Sequence, residues 1–198
     1  MRLAIAALLL LAAPAAMAHS PIKGLDNFYA GILHPLLVPA QVMSLLVFGI
    51  LVGQQGVKQL QAVVMVFLLS VGVGIGVAGL FPSVQPSLPL LGLAVLIGLL
   101  VALARPLPWL VNLGIAASLG GLLGMDSAQA EMTGRAMWAS LLGSGIALYL
   151  LTLYAMVFAE YFSRHAWQRI GLRVIGSWVA AAALLVLALR LSPPGGTG

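Results

Sequence analysis

Apolar residues in this chain gather into long, nearly unbroken runs, separated by short links that carry the prolines, glycines and charges. Runs of about 17–25 apolar residues, at about 1.5 Å rise each, are long enough to cross the hydrocarbon of a bilayer as helices. Six such runs follow the first stretch of the chain, at residues 28–53, 60–81, 88–104, 109–125, 136–161 and 170–191. Pro82, Pro86, Pro89, Pro106 and Pro108 punctuate the joins, as expected of residues that start or end helices. The pattern predicts an all-α membrane protein with a bundle of about six transmembrane helices.

The opening eighteen residues, MRLAIAALLLLAAPAAMA, read differently. Arg2 forms a short positive region, an apolar stretch follows, and Ala16-Met17-Ala18 is a small-residue end of the kind cleaved in secretory signal peptides. The rival reading, an uncleaved first span, is disfavoured by the shortness of the apolar stretch and its break at Pro14. The expected organisation is a signal peptide at 1–18, a transmembrane domain at 19–191 and a disordered tail, SPPGGTG, at 192–198. Cleavage leaves His19 as the mature amino terminus, outside.

Composition agrees: 62% of residues are hydrophobic, 7% are charged and the mean hydropathy is +1.14, against roughly 25% charged in soluble domains. The net charge of +5 offers no basic face for nucleic acid. With the mature amino terminus outside, Lys58, Arg105, Arg164, Arg169 and Arg173 fall on inner loops and Lys23, Arg135 and Arg190 on outer segments, a modest positive-inside bias. Both termini are then outside an inner, or plasma, membrane of bacterial type. With no cysteine, disulfides and thiolate metal sites are excluded. Enzyme signatures such as G-x-S-x-G, H-E-x-x-H and the P-loop are absent, so no catalytic residue is assigned.

Two kinds of pattern remain. Small-residue stripes, Gly72, Gly74, Gly76 and Gly79 in the second run and Ala116, Gly120 and Gly124 in the fourth, predict close helix packing in lipid. The stretch FYAGILHPLLVPAQVMSLL holds His34, Pro35, Pro39 and Gln41 inside the first run. His34 and Gln41 are seven residues apart, within about 20° of one helix face. Pro35 lacks the N–H for the Gly31 carbonyl, and Pro39 lacks the one for the Pro35 carbonyl. A proline-broken span with open carbonyls at Gly31 and Pro35 beside a histidine is a way to build an ion site. The plainer alternative is an interfacial histidine bonding a freed carbonyl, with Gln41 bonding a neighbouring helix.

A signal ending before His19, then GLDNFYAGILHPLL with Gly24, Phe28, Gly31 and His34-Pro35-Leu36, then six spans, resembles the HupE/UreJ family. These hydrogenase and urease accessory membrane proteins are regarded as nickel or related transition-metal permeases. The resemblance implies a transported Ni2+, or alternatively copper or cobalt, with no tightly bound cofactor, and implies metalloenzyme maturation proteins as partners beside the lipid bilayer. His34 is then the principal ligand and Gln41 the second polar group, with Asp26 and Asp126 drawing cations to the outer mouth. The chain departs from the family pattern at Ala40-Gln41, where an Asp-His pair is expected, and at Leu119 and Leu123, where histidines precede glycines. Two further readings stay open: a non-transporting membrane scaffold that kept the fold, and a copper-handling protein using His19 with Met125, Met132 and Met137.

Overall fold

The computed structural model describes residues 27–81, 86–129 and 132–192, so the expected signal peptide at 1–18 and most of the expected tail lie outside the described residues. Every element among the described residues is a helix: α1 (Asn27–Leu37), α2 (Pro39–Gln55), α3 (Val57–Leu80), α4 (Ser87–Leu103), α5 (Trp109–Met125), α6 (Gly134–Tyr161) and α7 (Ala166–Leu191). The first apolar run becomes the pair α1 and α2, bent by 71°. The bend falls at Val38, which has extended backbone (φ −94°, ψ 106°), and Pro39 opens α2 at a position where a missing N–H costs nothing. The other five runs each fall on one helix.

Lengths qualify the sequence expectation. Three helices, within α3, α6 and α7, are long and apolar enough to cross a membrane unaided, and the bent pair makes a fourth if it counts as one span. The α4 and α5 helices are apolar but only 17 residues long. Outward faces carry Leu69, Val73, Tyr154, Val157, Trp178 and Leu185, all exposed, as a surface solvated by lipid requires. The chain is a multi-pass membrane protein.

Packing is pairwise: α3 lies on α5, α4 on α7, and both α1 and α2 on α6. Because lipid is as apolar as a leucine core, these pairings follow the small residues, where backbones come close. The α5 stripe behaves as expected, since a Cβ added at Gly120 or Gly124 would run into the α3 carbonyls of Phe67 and Val71. On α3 only Gly74 meets α5; Gly79 meets the Trp138 ring, whereas a Cβ at Gly72 or Gly76 would meet open space. Gly49 and Gly53 of α2 fit against Ala155 and Ala159 of α6, and Gly98 of α4 faces Gly176 of α7.

The α2 helix is the centre of the core. Leu45, Val47, Phe48, Ile50 and Leu51 are almost wholly buried, and Phe48 stacks on Phe67 of α3 with ring centroids 5.0 Å apart. The opposite end of the bundle is finished by EYFSRHAW, where Arg164 lies 5.2 Å from the centre of the Tyr161 ring. His165 caps α7 in a reciprocal box with Gln168.

Candidate functional site

The bend sets the chemistry around it. In one straight helix, residues seven apart share a face but are separated by about 10 Å along the axis. Here His34 in the last turn of α1 and Gln41 in the first turn of α2 are on either side of the break, and their Nε2 atoms are 3.5 Å apart. Gln41 is fully buried, and His34 partly so.

Asp126, one residue beyond the end of α5, completes the group. Gln41 Nε2 donates to the Asp126 carboxylate Oδ2 at 2.8 Å and to the Asp126 backbone carbonyl at 3.1 Å. His34 Nε2 is 3.2 Å from the same carbonyl. In a neutral imidazole Nε2 either donates or accepts, so a single tautomer serves the Asp126 carbonyl or the Gln41 amide, not both. Desolvation by burial raises the Asp126 carboxyl above the ordinary carboxylate range, against the Gln41 hydrogen bond and the charge of His34, which lower it.

His34 and Asp126 open onto a cavity of about 320 Å³ between the α1–α2 bend, α4, the end of α5 and α7. Its wall also includes Met43, Ser87, Met125 and Arg190. Imidazole nitrogen, carboxylate and carbonyl oxygen suit divalent cations of intermediate hardness, and the two methionine thioethers would add softer donors at the wall. Arg190 sets a fixed positive charge in the same wall as Asp126. Among the described residues no three His, Cys, Asp or Glu side chains cluster as a metal site. Any cation held here therefore needs the Gln41 amide or a backbone carbonyl as well.

The expected residues fare unequally. His34, Gln41 and Asp126 come together, though Asp126 is in direct contact with Gln41 and not merely at an outer mouth. Gly31 needs correction as a source of an open carbonyl: the oxygen that Pro35 leaves free accepts a hydrogen bond from Ser144 Oγ of α6 at 2.9 Å. Gly31 acts in packing, since a Cβ there would strike the Ser140 carbonyl. Pro35 is buried within α1. His19 and Asp26 lie outside the described residues. Of the proposed copper methionines, Met125 shares the His34 cavity, whereas Met132 and Met137 pack together with Ala78 and Leu141 in a separate cluster.

Met43 and Arg190 were not among the expected residues. A methionine two positions after Gln41 is ordinary in an apolar helix, and only the fold shows that it faces the cavity. Ser44 and Ser144 donate to helix backbone, at the Ala40 and Gly31 carbonyls, and Ser140 accepts from Gln129 of the α5–α6 link at 3.0 Å.

No curated protein and no solved structure matches the chain. A family model described as HupE / UreJ protein matches residues 6–186. The chain belongs to the HupE/UreJ family, whose members are membrane accessory or transport proteins.

Proposed function

We propose that this protein is a permease for a transition-metal cation, nickel or a related ion, of a bacterial-type inner membrane. In this reading the chain is exported by a cleaved signal at 1–18 and crosses the bilayer six times. The bent α1–α2 pair counts as one span, α4 and α5 are short ones, and both mature termini lie outside. The observation that carries the proposal is the convergence of His34, Gln41 and Asp126 beside a cavity, at a proline break in a helix that is otherwise apolar. Polar and ionisable groups are kept within a membrane bundle at a cost that function ordinarily repays. One imidazole, one carboxylate and neutral oxygens form a weak site, and conduction requires an ion that can leave as well as enter.

A scaffold that delivers a partner without moving metal is the second reading, favoured by the lack of any cluster of three ionisable metal ligands among the described residues. Copper handling through His19 gains nothing from Met132 and Met137, which are engaged elsewhere. Met43 and Met125 would instead shift the selectivity of the His34 cavity toward softer ions.

The two main readings part in one experiment. The intact chain and His34→Ala are reconstituted at matched levels into liposomes, and Ni2+ entry is followed with an enclosed dye. The permease reading expects entry with the intact chain and a fall to the protein-free leak with His34→Ala. Equal entry through both, or none through either, rejects it.

A further inference from the structure

The Gln41 side chain is bound in an unbalanced way. Its nitrogen donates to two acceptors of Asp126, Oδ2 at 2.8 Å and the backbone carbonyl at 3.1 Å, and in the tautomer that leaves His34 Nε2 unprotonated it faces a third acceptor there at 3.5 Å. A primary amide has two N–H groups, so it cannot serve all three. Its oxygen, by contrast, is buried with no hydrogen-bond partner. The carboxamide thus keeps its donors in an oversubscribed place while its acceptor is unsatisfied, which is an unfavourable arrangement for a buried polar group.

In the tautomer that leaves His34 Nε2 unprotonated, that nitrogen and the two Asp126 oxygens are three acceptors converging on one point, which requires that something positive lie between them. In this structure the partial charge of two N–H groups does so. The same atoms, an imidazole nitrogen, a carboxylate oxygen and a carbonyl oxygen, are donors that a divalent cation of intermediate hardness takes. His34 and Asp126 line the cavity, whereas Gln41 is fully buried behind them. An ion arriving from the cavity therefore meets its ligands with their lone pairs already engaged by the amide.

We propose that the Gln41 amide nitrogen holds the place of the cation, and that loading requires this carboxamide to turn over about its last side-chain bond. The turn withdraws the two N–H donors from His34 and Asp126. It brings in the orphaned oxygen as a fourth donor beside His34 Nε2, Asp126 Oδ2 and the Asp126 carbonyl. Gln41 is thus a built-in competitor in the empty state and a ligand in the loaded one, which keeps affinity low and makes entry a gated step. This inference rests on the cation reading of the site.

Kinetics separate a gate from a bystander. The full chain in nanodiscs is mixed with Ni2+ in a stopped-flow instrument, and free metal is followed with a nickel-sensitive dye. For the intact chain the observed loading rate should level off as Ni2+ is raised, because turnover of the amide becomes limiting. In Gln41→Ala, which lacks both donor and fourth ligand, the rate should rise linearly with Ni2+ and dissociation should quicken. Gln41→Met, which keeps the length of the side chain without its N–H groups, should load like the alanine variant and covers the case in which the smaller residue disturbs the fold. A linear rate for the intact chain, or a plateau that survives in both variants, overturns the gate while leaving the cation site standing. Absence of Ni2+ binding by the intact chain and both variants rejects the cation reading and the gate together.

Discussion

The two ends of α2 carry the same residue type to different purposes. Near its start, Gln41 points its amide nitrogen at a histidine and an aspartate. Near its end, Gln54 and Gln55 meet backbone only. Gln54 donates to the Val101 carbonyl at 3.4 Å. Gln55 donates to the Arg105 carbonyl at 3.2 Å and accepts from the Leu107 N–H at 2.8 Å. Those two contacts clip the link between α4 and α5 to the end of α2, satisfying polar backbone where helices stop.

Each end also has a cavity, and the two differ in size and in lining. The cavity at the Gln54 end is larger, about 430 Å³, and includes Glu160, Ser163 and Arg169 in its wall. It gathers no histidine, and its glutamine is turned to a carbonyl. The smaller cavity of about 320 Å³ has the convergent set. Between them the α2 residues Leu45, Val47, Phe48, Ile50 and Leu51 are packed shut. What sets the smaller cavity apart is that side chains with lone pairs face one another at its wall.

This contrast can be broken by substitution, the largest effect first. Asp126→Ala should lower Ni2+ uptake into liposomes by about ten- to a hundredfold, the range seen when groups supporting a metal are removed. Glu160→Ala, at the other cavity, should leave uptake at the level of the intact chain. If Glu160→Ala abolishes uptake while Asp126→Ala does not, the two ends have been assigned the wrong way round. A smaller effect is expected on stability alone. Gln55→Ala removes two hydrogen bonds from the α4–α5 link and should cost about 1–2 kcal/mol in reversible unfolding in detergent, with uptake per folded molecule unchanged. A drop in uptake at full stability would show that the Gln55 end takes part in transport.

Much of this could be read from the chain. The six apolar runs mark the helices because hydrocarbon demands length, and Pro35 and Pro39 mark the bend because neither can donate a backbone hydrogen bond. The Ala116, Gly120 and Gly124 stripe marks the α5 face that meets α3. The pairing of His34 with Gln41 was legible as a shared face, though contact depends on the bend. What was not legible arrives from far along the chain. Asp126 stands 85 residues from Gln41, and Ser144, which takes the Gly31 carbonyl, is 113 residues from it. In a chain apolar toward lipid and core alike, hydropathy does not say which way a helix faces. Gly49 and Gly53 against Ala155 and Ala159 set that rotation for α2, and nothing in α2 alone singles out its partner.

In the proposed permease, His34 and Asp126, with Gln41, receive the cation. X-ray absorption at the nickel edge, on the full chain in nanodiscs loaded with Ni2+, tests this assignment most directly. A single imidazole nitrogen among oxygen ligands is expected, with loss of that imidazole signature in His34→Ala. A spectrum of fully hydrated nickel, or an imidazole signature that persists in His34→Ala, would contradict it.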